Sequence, residues 1–582
     1  MAASYNFTKN RFRTGKMEVI KVKLTNLEEK KSASDVKAEC KTGCHWLKIL
    51  FGNTYLSATI LGALSGVLLS LCFPFVRCWP LVFVALVPFL LGIIIVKEGK
   101  KALTLGFTFG FVLHVISMYW LKVFGWGAPV ALAIEKAIIP ALVAWLAVKL
   151  RSKQTNFCFY AVGLAALYTL AEYLQTVGVF GMNWAFLSIA LARVPLLLQT
   201  NSLWGMWGLS FAIALINVGL AEIVWCIVRR RSSASESAEV AQQEQNQVCA
   251  DNKSADHDIY SGIKSWVYVS ASLWAFIVIW GTVTLSQAPS LAEQAKQPGA
   301  VKWGLIQLSI PQEKRFHPFF ADENFEALGE ASRQAIKEGA EIIGWPETSV
   351  PYRQFLDDNY YKLQMRRFIR RNSAWYLVGS IESAPDNGSY NAISTWDNVG
   401  IYRERYNKWN IVPFGEYLPG REYWPEWIPG VKLVMNYKPG EGSCALQVKD
   451  HKVGVLICFE SMCTWVARQH VLKGAEVLFA PTNDAWFKET AELPGHFDID
   501  IMRAVELARP VLPVGNTGIS GFIDRYGRVQ QESAINEKNI MVDYVVPNSV
   551  LTLYARLGDW QVLIYALLLI GCFAYTKRNQ CD

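Results

Sequence analysis

Apolar positions along this chain gather into blocks of roughly 20 residues, the length that crosses a bilayer core, with polar positions filling the gaps. The blocks run Tyr55–Phe75, Leu81–Val96, Ala102–Lys122, Pro129–Leu150, Phe157–Thr176, Trp204–Val228, Ser265–Leu285 and Trp560–Tyr575. Each predicts a transmembrane helix, about eight in all, seven ahead of a long stretch of ordinary polarity and one after it. Two are imperfect, since the second is short and Glu172 interrupts the fifth. A carboxyl group inside a span is costly and marks a functional or packing contact, for which the sequence offers no partner.

From Ser286 to Gly558 the rhythm changes. Short apolar runs predict strands at Trp303–Ile310, Glu341–Gly344, Trp375–Ile381, Asn391–Trp396, Val453–Cys458, Val477–Ala480, Val511–Val514 and Ile540–Val545. Helical patterns fall between several of them, at Asp322–Lys337, Phe355–Arg371, Met462–Leu472 and Phe497–Ala508. Such alternation predicts an α/β layered fold with helices covering a sheet. The strands are mostly unbroken apolar runs, as in a sheet buried on both faces.

Charge adds orientation. Basic clusters occupy the N-terminal segment, Lys97-Glu-Gly-Lys-Lys101, Lys149-Leu-Arg-Ser-Lys153, Arg229-Arg-Arg231 and Lys577-Arg578. These are alternate loops, so all fall on one side, the cytoplasmic side by the positive-inside rule. Residues 1–48 are then a cytoplasmic extension, 49–285 seven helices, 286–558 an extracytoplasmic domain, and 559–582 a final helix with a cytoplasmic tail. Both termini are cytoplasmic. The first 48 residues hold no apolar core of signal-peptide length. Ser232–His257, rich in Ser, Ala, Glu and Gln, predicts a disordered cytoplasmic loop near 229–262. The net charge of +8 is accounted for by these flanks and gives no reason to invoke nucleic acid.

Twelve cysteines form neither a disulfide framework nor a metal pattern, and Cys40-Lys-Thr-Gly-Cys44 lacks a second pair. No metal and no cofactor is expected. The outer stretch holds only Cys444, Cys458 and Cys463, which favours free thiols while leaving a Cys444–Cys463 bridge open. His470 and His496 have no ligand spacing and read as structural.

Candidate chemistry sits in three phrases of the outer stretch: Gly344-Trp-Pro-Glu347, Arg405-Tyr-Asn-Lys408 and Val453-Gly-Val-Leu-Ile-Cys-Phe-Glu460. Ligands gather beyond the carboxyl ends of strands in open sheets, so the three can converge at one rim. A thiol attacks as thiolate and needs a base or cation beside it. Glu347 would take the proton and Lys408 would hold the oxyanion, while Glu416 and Glu460 support them or serve only as ion-pair partners. Taken singly, Cys458 also reads as a buried structural cysteine, Glu347 as a surface carboxylate and Lys408 as a solvated loop cation.

Together these phrases resemble the Glu-Lys-Cys triad of the nitrilase superfamily over about Val301–Val546, which implies an αββα sandwich. The membrane context narrows the resemblance to the apolipoprotein N-acyltransferases. Similar phrases are Val412-Pro-Phe-Gly-Glu416, Thr482-Asn-Asp-Ala-Trp-Phe487, Met502-Arg-Ala-Val-Glu-Leu-Ala-Arg-Pro510, Asn516-Thr-Gly-Ile519 and Tyr554-Ala-Arg-Leu-Gly-Asp-Trp560, with Phe73-Pro-Phe75 and Gly181-Met-Asn-Trp184 in the membrane part. The resemblance implies a triad of Glu347, Lys408 and Cys458, with Trp486 and Phe487 near the acyl group. It departs at Phe459, often Tyr in the family, at Phe316, where Trp is common, and at Lys488, usually Gly. These three positions bear on substrate contacts. The implied reaction takes a fatty acyl group from a membrane phospholipid onto Cys458. The acyl group then passes to the α-amine of an apolipoprotein's lipid-modified N-terminal cysteine, in the inner membrane of a bacterium with the catalytic domain periplasmic.

A magnitude favours a lipid-facing site. Each methylene moved from water to apolar surroundings gains about 0.8 kcal/mol, so exposing a chain of about 15 costs on the order of 12 kcal/mol. The aromatic stretch Tyr402–Tyr437 suits an interface and reads as mobile arms over the entrance, or as packing against the spans. Trp486 and Phe487 likewise read as core aromatics or acyl contacts. Two rival functions remain: an anchored amidohydrolase, which needs no lipid-facing site, and a transporter or receptor, whose spans would carry more polar residues than these do.

Overall fold

The structure, a computed structural model, describes residues 50–74, 76–151, 156–240, 248–350, 359–385, 388–425, 427 and 434–578. The N-terminal extension, Phe75 and the start of the helix expected from Phe355 lie outside the described residues. The membrane part contains α1 (Tyr55–Ser70), α2 (Val87–Ile95), α3 (Gly99–Ser117), α4 (Gly127–Arg151), α5 (Phe157–Leu174), α6 (Asn201–Val240) and α7 (Val248–Ser286). Among the described residues, four segments are long and apolar enough to cross a membrane: Gly127–Arg151, Phe157–Leu174, Asn201–Arg230 and Gly262–Ser286. Tyr55–Ser70, Trp79–Ile95 and Trp560–Tyr575 are apolar but shorter. The second expected span is broken by its prolines into a 3-10 turn, Trp79–Phe83, and α2, each with a proline in its first turn. Helices α6 and α7 run into the segment expected to be disordered, and 241–247 lie outside the described residues. That segment is polar but rich in Ala, Glu and Gln, which favour helix.

Close helix contacts follow from two glycine pairs four residues apart. A Cβ at Gly62 would lie 2.6 Å from the Leu105 carbonyl, and one at Gly106 would lie 2.2 Å from the Pro140 carbonyl. Gly66 and Gly110 are crowded in the same way. Small residues at this spacing let backbones touch inside a membrane, so α1 packs on α3 and α3 on α4. Glu172 gains the partner the sequence withheld, the Leu187 N–H at 2.8 Å.

Two six-stranded sheets form the domain between residues 301 and 545. The strands are β1 (Val301–Gln307), β2 (Ile342–Gly344), β3 (Trp375–Ser383), β4 (Ser389–Trp396), β5 (Tyr402–Asn407), β6 (Leu446–Val448), β7 (His451–Val455), β8 (Val477–Thr482), β9 (Val511–Gly515), β10 (Gly521–Ile523), β11 (Val529–Glu532) and β12 (Asn539–Val545). One sheet has the order β12-β1-β2-β3-β4-β5 and the other β11-β10-β9-β8-β7-β6. Their inner faces share one core, in which Trp303, Leu305, Ile342, Leu377 and Ile393 meet Val453, Val455, Val477, Phe479 and Leu512. Helices α8 (Ala321–Lys337) and α9 (Asn359–Asn372) cover the first sheet. Helices α10 (Thr464–Leu472) and α11 (Glu492–Leu507) cover the second, and their core runs on into the membrane helices. The result is a nitrilase-like layered domain, helices–sheet–sheet–helices, rather than the single sheet that alternation alone predicts.

Buried charge joins the two parts. Helix α6 is interrupted at Trp204 and Gly205, where Gly205 takes φ +59° and a Cβ would strike the Tyr554 ring at 2.6 Å. The helix restarts at Met206, whose N–H donates to Glu506 Oε1 at 3.1 Å, so a carboxylate of α11 caps a broken membrane helix. Arg503 pairs with Glu506 at 3.1 Å, both side chains wholly buried. Arg193 reaches Asp498 at 2.6 Å, and Asn183 Nδ2 donates to Thr464 Oγ1 at 2.7 Å. This seam fixes α10 and α11, and with them the loops that follow β7 and β8, against the membrane helices.

Candidate active site

The three phrases converge at strand ends. Glu347 lies three residues beyond β2 and is buried. Asn391 of β4 donates from Nδ2 to Glu347 Oε1 at 2.6 Å and to Glu416 Oε1 at 3.0 Å, holding both carboxylates. Buried Arg315 grips the same loop through the carbonyls of Glu347 and Thr348, and donates to Asn483 Oδ1 at 2.9 Å. Lys408 follows β5 directly, and its N–H donates to the Asn391 carbonyl at 2.8 Å. Its Nζ, fully buried, lies 2.9 Å from Glu416 Oε2 and 3.9 Å from Glu347 Oε1.

Cys458 does not end its strand as expected. Strand β7 stops at Val455, and Cys458 opens a 3-10 turn, Cys458–Met462, with φ +52°. That left-handed backbone is unusual for a residue with a side chain, and the half-buried thiol packs against the core between the sheets. Glu460 fixes the turn. Its Oε2 accepts from the Ile457 N–H at 2.8 Å, while Oε1 accepts from the Tyr406 hydroxyl at 2.7 Å and from the N–H groups of Trp409 and Asn410 at 2.8 and 2.9 Å. One carboxylate thus ties the loop after Lys408 to the loop bearing Cys458.

Electrostatics set the resting protonation. Burial, helped by Glu347, pushes the Cys458 thiol well up, with Lys408 and His496 pulling the other way. Burial and Glu416 raise the Glu347 carboxyl against Lys408, Asn391 and Arg315. Burial opposes the charge on Lys408, but Glu416 and Glu347 outweigh it and hold the ammonium protonated far beyond neutral pH. The site thus sets a fixed ammonium beside a thiol and a carboxyl, both raised by burial. The thiol proton has a basic carboxylate to go to, and Lys408, with three N–H donors and carboxylates at 2.9 and 3.9 Å, keeps donor capacity for an oxyanion.

The aromatic expectations divide. Trp486 is 53% exposed, so it is not a core residue. Phe487 packs edge-on to Trp120 and Phe124 of the membrane part, with centroids 5.0 and 6.0 Å away. Phe459 is partly buried against the core shared with the membrane helices. Phe316 is half-buried at the end of the short helix carrying Arg315. Lys488 has φ +52° and ψ −151°, backbone that suits glycine. The aromatics of Tyr402–Tyr437 divide between buried and exposed positions. Tyr406 is 2% exposed and Trp409 packs on Trp465 at 4.7 Å, whereas Tyr423 and Trp427 are over 80% exposed. Phe414 stacks on Phe180 at 5.9 Å, and residues 426 and 428–433 lie outside the described residues.

Cys444 and Cys463 are free thiols, which closes the question of a bridge. His470 contacts the Cys444 carbonyl at 2.5 Å, and burial pushes its ring down to about 4, as suits a structural histidine. Sequence reasoning missed Asn391 and Arg315. A signal existed for Asn391, an amide in an otherwise strand-forming run, where Asn is depleted.

Two family models match the chain: the apolipoprotein N-acyltransferase N-terminal domain over residues 65–219 and carbon-nitrogen hydrolase over residues 304–550. The apolipoprotein N-acyltransferase of Geobacter metallireducens is 28% identical over 542 residues, covering 89% of this chain and 96% of that protein. That of Thermotoga maritima is 27% identical over 549 residues, covering 90% and 95%. A solved amidase from Nesterenkonia sp. has 16% identity and a TM-score of 0.35, covering 46% of this chain and 95% of the amidase. The first model falls on the membrane helices and the second on the double-sheet domain beyond them. Relatives of one name span nearly the whole arrangement, so the chain is an acyltransferase enzyme and belongs to the apolipoprotein N-acyltransferase family.

Proposed function

We propose that this enzyme carries a fatty acyl group from a membrane phospholipid to the α-amino group of an apolipoprotein's diacylglyceryl-modified N-terminal cysteine, by a ping-pong route through a thioester on Cys458. The observation that carries the reading is the buried meeting of base, ammonium and thiol. Lys408 stands 3.9 Å from Glu347 and 2.9 Å from Glu416, and Cys458 lies within the electrostatic reach of Glu347 and Lys408. In the first half-step Cys458 Sγ attacks the ester carbonyl carbon as its proton passes to Glu347. The oxyanion rests on Lys408. Collapse breaks the ester C–O bond, and Glu347 returns the proton to the departing lysophospholipid oxygen. In the second half-step the α-amine attacks the thioester, Glu347 removes its proton, and that proton ends on the departing sulfur. Splitting one acyl transfer into two is the gain from a covalent nucleophile.

The acyl chain has to stay in apolar surroundings throughout, so the site opens toward lipid. Exposed Phe414, Tyr423, Trp424, Trp427 and Trp486 support such a rim, and Phe316, Phe459 and Phe487 are the further acyl contacts. The alternating basic clusters support about eight spans, cytoplasmic termini and a periplasmic catalytic domain at 286–558 on a bacterial inner membrane. The test supplies purified protein in detergent with phospholipid and a diacylglyceryl-cysteinyl peptide. The expected products are peptide heavier by one fatty acyl group and an equal amount of lysophospholipid, with neither from Cys458→Ala. Free fatty acid without acylated peptide would make the protein a hydrolase and overturn the reading.

A further inference from the structure

Acyl transfer as described gives no part to a buried histidine beside the nucleophile turn. His496, in the first turns of α11, lies with Nε2 3.1 Å from the Cys458 carbonyl oxygen and 2.7 Å from Ser461 Oγ. A carbonyl oxygen only accepts, so Nε2 carries a proton. The other ring nitrogen, Nδ1, faces two acids, 3.5 Å from Glu492 Oε1 and 3.6 Å from Asp484 Oδ1, and has no hydrogen-bond partner of its own. A neutral ring with its proton on Nε2 would turn a lone pair on Asp484 and on Glu492, a buried pair of acids in which burial and Asp484 push Glu492 up to about 7. A second proton, on Nδ1, turns that repulsion into attraction.

The surroundings fit a cation. Asp484 comes from the turn after β8, Glu492 and Asp500 from α11 itself, and Cys458 from the nucleophile turn; Arg503 and Lys408 act on Asp500 and Cys458 respectively. Asp500 acts on the ring through its charge. Burial works against a charged imidazole, but Asp484 and Glu492 outweigh it and hold the ring well above its ordinary value. The backbone it grips is the one in the left-handed region, at Cys458, a conformation that persists only when its surroundings enforce it.

We propose that His496 is a positioning residue: an imidazolium seated between Asp484 and Glu492 that clamps the strained Cys458 turn through its carbonyl and adds a second positive charge, beside that of Lys408, to the field around the thiolate. The proposal rests on the reading of Cys458 as nucleophile. It divides the work of His496 into a hydrogen bond and a charge, and two variants separate them. In His496→Gln the amide nitrogen can stand where Nε2 stands, keeping the bond and losing the charge. In His496→Ala both are lost.

The experiment uses the full chain in detergent and follows the rate of Cys458 alkylation by iodoacetamide against pH, read by peptide mapping, alongside the rate of thioester formation from phospholipid. His496→Gln is expected to raise the alkylation midpoint by about one pH unit and to reach the unmodified enzyme's thioester rate once pH exceeds the new midpoint. His496→Ala is expected to shift the midpoint likewise and to stay at least about tenfold slower even there, the cost of a lost turn geometry. An unshifted midpoint in His496→Gln overturns the proposal, and does so even if His496→Ala fails to fold. Equal plateau rates in the two variants overturn the clamp. One divalent metal ion per chain in the purified protein would also overturn it, by making the cation at this place a metal. Absence of any thioester in the unmodified enzyme would instead refute the acyl-transfer reading, while the alkylation midpoints still judge His496.

Discussion

Replacing Glu460 with Gln changes one atom of the bracket between the loops bearing Lys408 and Cys458, with consequences that follow contact by contact. The amide oxygen keeps the three donors that meet Oε1, from Tyr406, Trp409 and Asn410. The amide nitrogen then points its hydrogens at the Ile457 N–H, which at present donates to Oε2 at 2.8 Å. A buried donor left without an acceptor costs about 1–3 kcal/mol, and it falls one residue before Cys458. If the turn relaxes to relieve it, acylation slows by about 5- to 160-fold. Burial pushes Glu460 up to about 7, against Lys408, the Asn410 and Ile457 N–H groups and the Tyr406 hydroxyl. As pH falls through that value the carboxylate takes a proton, loses an acceptor and loosens the bracket. The unmodified enzyme should therefore show an acid limb near pH 7 that Glu460→Gln lacks. The assay is single-turnover thioester formation between pH 5.5 and 8.5, with a thermal melt to exclude unfolding. A Gln variant within twofold of the unmodified rate at pH 8, or one that keeps the acid limb, would refute the bracket.

Lys408→Met removes the one cation shared by Glu347 and Glu416. A loss of about 3–5 kcal/mol in stability is expected from the unpaired buried charge, read by melting, with a residual acylation rate at least about 10²-fold down. Glu506→Gln tests the seam by its pH dependence. Burial raises Glu506 to about 7, above its ordinary 4.5, although Arg503 and the Met206 N–H pull it down. The fold thus binds this proton more tightly than the unfolded chain, and the contribution is full below pH 4.5 and lost as pH rises through 7. Between pH 5 and 7.5 the melting temperature of Glu506→Gln should fall less than that of the unmodified enzyme; an equal fall would refute the assignment.

Strands were legible where burial on both faces left a plain apolar run. Val477–Thr482 is buried at every position and was found within two residues. Hydrophobicity alone carried the β7 run three residues too far, because Leu456 and Ile457 stay buried while the backbone has already begun its turn. Strand β5 escaped for the opposite reason. Tyr402-Arg-Glu-Arg-Tyr-Asn407 is a charged edge strand, the form that edges take to discourage further pairing, so no apolar run marks it. The carboxylate, lysine and cysteine could be named from their phrases. Asn391, Arg315 and the Glu460 bracket could not, because their partners lie 25 to 168 residues away. His496 looked solitary for the same reason, since Asp484 and Ser461 reach it only through the fold.

The proposed chemistry turns on a fatty acyl thioester on Cys458. Intact mass of the enzyme after mixing with a phospholipid of defined chains, quenched before any peptide is added, tests it most directly. The expected result is a mass increase of one fatty acyl group, mapped to the peptide bearing Cys458, released by hydroxylamine and absent in Cys458→Ala. An active enzyme that transfers acyl groups without that adduct, or an adduct that survives in Cys458→Ala, would contradict it.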